Sequence, residues 1–282
     1  MYMNPLLDLA LRPVIAHRGA SGSAPENTLP AFELAVRQGA DAFELDVRLT
    51  ADGVAVVLHD PTLERTTGRG DSVAGRTLAQ LREADAGARF SPDGGRTFPF
   101  RGAGVVIPTL AEVLGAFPQV AVLVDIKESR AQAEVRRVLL EERAVDRCVL
   151  ASDDMAALAG LDAEQFSRAA SPREISQLYW GSILGRTPAP GSVTGSPYRV
   201  LSVPARYRGL TVPTARFVSA ARARGCPVHV WTVNDPSLAQ RLWKSGVAGI
   251  VTNFPDRIRG VASYGFSTGS RTPLPHSVHD PS

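Results

Sequence analysis

Short apolar runs alternate with amphipathic stretches along most of this chain. Val14 to His17 forms a buried strand that leads into Arg18-Gly19. Residues from about Thr28 to Gln38 have helical spacing, and Gly39 is their stop signal. From Ala42 to Leu49 the pattern has period two, with Phe43, Leu45 and Val47 on one face and Glu44, Asp46 and Arg48 on the other. Thr50-Ala51-Asp52-Gly53 is a turn, and Val54 to Leu58 runs back as a strand ending on His59-Asp60. A turn that short makes a hairpin, because parallel neighbours need a longer crossover. Pairing across it brings His59 opposite or close to Glu44.

The alternation lapses from Pro61 to about Val106, where turn-rich pieces surround one short helix near Leu78 to Ala84. That length exceeds an ordinary connection and predicts an inserted subdomain over 61–106. Beyond it, a helix runs from Leu110 to Ala116, and Val120 to Lys127 is an interior strand with Asp125 and Lys127 on one face. Strands follow at Cys148–Ala151, Phe166–Ala170, Val200–Val203, Val228–Val233 and Gly249–Thr252. Helices lie between them at Arg130–Arg143, Met155–Leu161, Arg173–Leu184, Thr214–Gly225 and Pro236–Gly246. Residues 1–12 read as a loose lead-in, 185–198 as a Gly/Pro/Ser loop, and 263–282 as a disordered tail in which His276 and His279 are inert. Asn27 or Thr28 is placed to cap the first helix.

The acids at 44 and 46 are the sharpest clue. On a half-buried strand they would simply face water, with Arg48 as a partner. Gly39-Ala40 leads straight in from the preceding helix, however, which predicts a strand covered on both faces. Two interior carboxylates on one face repel unless a cation or a proton sits between them.

Together these stretches resemble the glycerophosphodiester phosphodiesterases. The matching text is HRGASGSAPENTLPAF, GADAFELDVRLTADGVAVVLHDPTLERTTG, VDIK, VHVWTVN and GVAGIVTNFP, in the family's order over roughly residues 14–255. The resemblance implies an α/β fold, a TIM (β/α)8 barrel spanning 14–262 with the small inserted subdomain after the strand that ends His59-Asp60. It implies a divalent metal and phosphodiester hydrolysis. The nine strands counted exceed eight by the hairpin partner. The family's insertion roofs the site, which makes Phe90, Phe98 and Phe100 candidates for that roof, with subdomain core as their alternative. Many members carry Glu where Asp125 stands; Asp is one methylene shorter, which draws the expected metal closer to this strand.

Composition narrows the class. The 282 residues suit one barrel with an insertion. No apolar run reaches membrane-spanning length, and the first residues lack the basic start of a secretory signal. Cys148 and Cys226 read as buried thiols, and a cytoplasmic enzyme is expected. The 31 basic residues against 28 acidic ones give a net charge of +3 without a basic run, so nucleic-acid binding has no support. Lys127 and Lys244 are the only lysines among many arginines.

Chemistry then assigns roles. Glu44, Asp46 and Asp125 are hard oxygen donors that suit Mg²⁺ or Ca²⁺ better than zinc. Arg18 and Lys127 are the phosphate-binding cations, one a planar fork and one a point charge. His17 as general base and His59 as general acid is the working assignment, since imidazoles titrate near neutral pH. Trp231, at a strand end, either faces the substrate pocket or packs; His229 is a core residue. An ion pair of Asp125 with Arg18 or Lys127 is the structural alternative to metal ligation. The resemblance implies a small glycerophosphodiester substrate, cleaved to glycerol 3-phosphate and an alcohol. The alternatives are a lysophospholipid, in a lysophospholipase D-like reaction, and a non-catalytic barrel that binds a phospho-ligand. Oligomeric state is unknown from sequence.

Overall fold

The computed structural model describes residues 3–162, 164–185 and 198–262. The loop expected at 185–198 falls almost wholly outside these residues, as does the tail at 263–282 with His276 and His279.

In chain order the elements are β1 (Val14–His17), α1 (Leu29–Arg37), β2 (Ala42–Leu49), β3 (Ala55–Val57), α2 (Glu64–Thr67), α3 (Leu78–Leu81), α4 (Leu110–Ala116) and β4 (Ala121–Ile126). There follow α5 (Gln132–Glu141), β5 (Cys148–Ala151), α6 (Pro172–Ile183), β6 (Leu201–Pro204), β7 (Arg206–Tyr207) and β8 (Leu210–Thr211). The chain then forms α7 (Ala215–Arg222), β9 (Val228–Trp231), α8 (Pro236–Lys244), β10 (Gly249–Thr252) and α9 (Pro255–Ala262).

Seven strands are joined in the parallel order β5-β4-β2-β1-β10-β9-β6. The gap between β5 and β6 is filled by the stretch expected as the strand Phe166–Ala170. It forms only single bridges, Leu150 with Arg168 and Ala169 with Val200, both parallel. Counting it, eight parallel members close a (β/α)8 barrel. The surplus strand is β3, which among the strands pairs only with β2, antiparallel, and bridges Thr109 through Val56. Helix starts are set by side-chain caps. Thr109 with Glu112 and Ser171 with Glu174 form capping boxes, and Thr214 and Asp235 cap α7 and α8. α1 is an exception to the expected capping: Thr28 makes no side-chain cap, and its hydroxyl donates to the Pro25 carbonyl instead.

The period-two pattern decides what each strand buries. On β2 the residues Phe43, Leu45 and Val47 point outward into a cluster with α1, α4 and α5. The alternate positions point inward. Ile15, Ala42, Ala121, Leu123, Val149, Ala169, Val200 and Val251 make the barrel's interior core. Leu6 joins them, fully buried, with its N–H bonded to the Asn4 side chain while Asn4 donates to the Asp146 carbonyl. The expected loose lead-in is therefore a plug in the barrel floor.

Three further differences have local causes. The insertion holds two helical turns, α2 and α3, around Leu63, Val73, Leu81 and Ile107, where one helix was expected. Phe90 and Phe100 stack edge to face, and Arg101 lies over the Phe98 ring. None of the three lines the cavity at the barrel mouth. The hairpin β7–β8 and the final helix α9 carry too short or too polar a pattern to be expected from periodicity. Among the described residues no helix is long and apolar enough to cross a membrane.

Candidate active site

Sheet register brings the predicted residues together. β1 pairs with β2 so that His17 faces Glu44, and β2 pairs with β4 so that Asp46 faces Asp125. Lys127 follows one inward step later, its N–H bonded to the Val47 carbonyl. All of these, with Arg18, His59 and Trp231, line one cavity at the carboxyl ends of the strands, where barrels of this kind carry variable loops.

After β1 the chain turns sharply. Arg18 has φ of +58° and Gly19 of +79°, and a Cβ at Gly19 would lie 2.7 Å from Ala31. Glycine is required there by contact as well as by conformation. Arg18 is held in its left-handed state by its own N–H, which donates to the Glu44 carbonyl at 2.9 Å and lies 3.1 Å from Glu44 Oε2. Asn27, also at φ +58°, donates its N–H to the Arg18 carbonyl and its side-chain amide to Asp46 Oδ2 at 2.9 Å. Backbone strain at two residues is thus concentrated where side chains must be aimed.

Glu44, Asp46 and Asp125 each place a carboxylate oxygen within 4.8 Å of the others. Two cations reach into this group. Lys127 Nζ lies 2.8 Å from Asp46 Oδ1 and 2.6 Å from Asp125 Oδ2, and Arg18 Nε lies 3.0 Å from Asp46 Oδ2. The ion pair between Lys127 and Asp125 therefore exists, but it does not balance the cluster, since three carboxylates face two cations. Burial, then Asp46, then Asp125 push Glu44 well above the ordinary carboxyl range. Burial also raises Asp125. It opposes charge on Asp46 too, yet Lys127 and Arg18 hold that group below its usual value. Asp125 Oδ1 is buried without a hydrogen-bond partner. Three oxygen-donor acids against two cations, with mutual repulsion that raises Glu44 and an orphaned carboxylate oxygen, fit a hard divalent cation.

The two imidazoles differ in their partners. His17 Nδ1 lies 2.7 Å from Asn253 Oδ1, and its Nε2 is 3.9 Å from Glu44 Oε2. With the Nδ1 proton donated to Asn253, Nε2 is left as the acceptor facing the cavity. Burial, then the neighbouring Arg18, lower its pKa. His59 is more open, and its Nδ1 lies 2.6 Å from Asp60 Oδ1. Arg48 Nε donates to the His59 carbonyl at 2.7 Å. By hairpin register Leu58 N–H donates to the Asp46 carbonyl, which puts His59 beside the β2 acids as expected.

Trp231 is 43% exposed at the cavity rim. His229, two residues below it, is fully buried, with Nε2 2.8 Å from the Leu6 carbonyl. The resemblance places the Pro25–Thr28 stretch near the site, but Glu26 and Asn27 stand outside the catalytic candidates. Sequence reasoning missed Asp60 and Asn253, which touch the two imidazoles, and Arg65, which joins Asp60 to Glu26. Asp60, Arg65 and the Pro25–Thr28 stretch sit inside the matching motifs, and Asn253 lies in the last one, so the signal was present.

Residues 17–257 match the Glycerophosphoryl diester phosphodiesterase family. The chain belongs to this family. It is 31% identical over 252 residues to a glycerophosphodiester phosphodiesterase of Caldanaerobacter subterraneus, covering 87% of this chain and 95% of that protein. A Bacillus altitudinis glycerophosphodiester phosphodiesterase is also 31% identical, over 86% of this chain and 95% of its own length. Among solved family structures, an Oleispira antarctica phosphodiesterase in complex with the product sn-glycerol-3-phosphate is 28% identical. Its TM-score is 0.71, with 89% of this chain and 96% of that one covered. A glycerophosphodiester phosphodiesterase of Agrobacterium tumefaciens matches at TM-score 0.70 and 26% identity, over 89% and 100%.

Proposed function

We propose that the protein hydrolyses a glycerophosphodiester to glycerol 3-phosphate and an alcohol, with one divalent cation, Mg²⁺ or Ca²⁺, held by Glu44, Asp46 and Asp125. The observation that carries this reading is the gathering of three acids, two cations and two imidazoles in one cavity. When bound, the cation supplies Lewis-acid neutralisation of phosphate charge. Arg18 and Lys127 take the remaining phosphate oxygens and orient the diester. His17 Nε2 accepts the proton of the attacking hydroxyl, a role suited to an imidazole whose other nitrogen donates to Asn253. His59 Nε2 delivers a proton to the departing alkoxide, and Asp60 steadies the imidazolium that does so. If a glycerol hydroxyl attacks first, the cyclic phosphate is opened by water with the two roles reversed. Trp231 gives the glycerol or its substituent an apolar face. The two cysteines are buried thiols, in keeping with a reducing, cytoplasmic setting.

A lysophospholipase D-like activity is the second reading. It is favoured by exposed Tyr207 and Leu210 on the hairpin that follows Pro204, the residue paired with Trp231. The test compares glycerophosphocholine with lysophosphatidylcholine, each with added Mg²⁺ or Ca²⁺ and with chelator. Release of choline from the first that chelator stops is the expected result. Turnover of lysophosphatidylcholine alone selects the second reading. Metal-independent turnover, or none from either ester, overturns both.

A further inference from the structure

Arg65 lies outside every role assigned above. It sits on α2, in the inserted segment, and its side chain is 47% exposed. All of its donor edge is nonetheless engaged by two acids. Nε lies 2.5 Å from Asp60 Oδ2, while Nη1 and Nη2 lie 2.6 and 2.8 Å from the two oxygens of Glu26. Each acid has a second partner. Asp60 Oδ1 meets His59 Nδ1 at 2.6 Å, and Glu26 Oε1 meets Arg18 Nη1 at 2.9 Å. A chain of charge-assisted contacts therefore runs His59–Asp60–Arg65–Glu26–Arg18, from the β3 end to the β1 end of the cavity.

A single exposed ion pair contributes about 1 kcal/mol at most, whereas a bidentate arginine within a charge network contributes more, and that gain depends on its fixed geometry. What only a planar guanidinium offers is a fixed angle between two carboxylates. We propose that Arg65 is a positioning residue that locks the proton-donating His59 and the phosphate-holding Arg18 into one rigid frame, so that the insertion completes the site through this side chain. The inference rests on the reading of His59 as the general acid. In that step the attacking oxygen bonds to phosphorus and gives its proton to His17, the bond from phosphorus to the leaving oxygen breaks, and the His59 proton moves to that leaving oxygen.

The departing group gives the test. An alkoxide needs that proton; 4-nitrophenolate leaves without it. The Arg65→Ala, Arg65→Lys and His59→Ala proteins are assayed on glycerophosphocholine and on the glycerol 4-nitrophenyl phosphodiester. Arg76→Ala, which breaks an ion pair with Asp71 in the same insertion, is the control for general damage. Arg65→Ala is expected to lose about 30-fold in kcat on the choline ester and under about 3-fold on the nitrophenyl ester, with added guanidinium restoring part of the loss. Arg65→Lys, which keeps the charge without the fork, should show the same asymmetry if the alanine protein does not fold. Equal losses on both esters, or no loss, overturn the proposal. A His59→Ala protein that slows both esters equally removes the acid assignment itself, which separates the two failures.

Discussion

On β1, β2 and β4 the inward positions near the floor and those above them obey opposite rules. β1 has Ile15 below His17, and β2 has Ala42 below Glu44 and Asp46. β4 has Ala121 and Leu123 below Asp125 and Lys127. The floor is closed by Leu6 and filled by aliphatic side chains, so its free energy comes from burying apolar surface. At the mouth, burial works against charge at every one of the three acids. The same backbone ladder supports both, which shows that the fold tolerates an unfavourable electrostatic cluster because the layer beneath it is well packed. Two histidines sharpen the contrast. His229 in the lower layer bonds a backbone carbonyl, while His17 in the upper one bonds an amide that leaves its other nitrogen facing the cavity.

The largest effect that tests this division is His17→Ala. It removes a proton acceptor but little packing, so kcat should fall about 1000-fold while the melting temperature moves little. A variant that keeps a tenth of the activity would place the base elsewhere. The complementary change is Leu6→Ala. A fully buried leucine cut back to Cβ costs about 3 kcal/mol, and denaturant unfolding should register it with kcat and KM unchanged. Unaltered stability would mean that the floor collapses around the gap or never needed the plug.

Much of the upper layer was legible because a period-two pattern with acids in place of apolar residues is hard to read otherwise, and β2 alone declares two of the three carboxylates. The supporting contacts were not legible. Asn27 and Arg18 reach the acids through left-handed backbone, which no side-chain pattern reports. Arg65 meets Glu26 across 39 positions of chain. Leu6 was missed for a different reason: the lead-in carries Leu6, Leu7, Leu9 and Leu11, and no period singles one of them out. Phe166–Ala170 was expected as a strand and fills that place in the wall, yet it makes only single bridges there.

His229 supplies the next test, through pH. Burial lowers its pKa to about 4, below the ordinary 6.5. Between those values the unfolded chain takes up a proton that the folded one refuses, so stability present above pH 6.5 is lost as pH falls towards 4. The loss has a ceiling of roughly 3 kcal/mol. His229→Gln should flatten that part of the stability profile, as followed by denaturant midpoints at stepped pH. A profile identical to the parent's would show that the ring charges freely and that the floor is wetter than its packing suggests. Gly249 argues against that, since a Cβ there would stand 2.3 Å from His229 Nδ1.

The smallest effect is expected one step up the same strand, at Trp231. Its side chain is partly in water at the rim, so the fold gains little from it. If it instead gives bound substrate an apolar face, Trp231→Ala should raise KM for glycerophosphocholine about 5-fold and leave kcat within about 2-fold, a loss near 1 kcal/mol of uniform binding. Unchanged KM with a lower melting temperature would assign the ring to packing. A fall in kcat at constant KM would mean that it acts in the transition state.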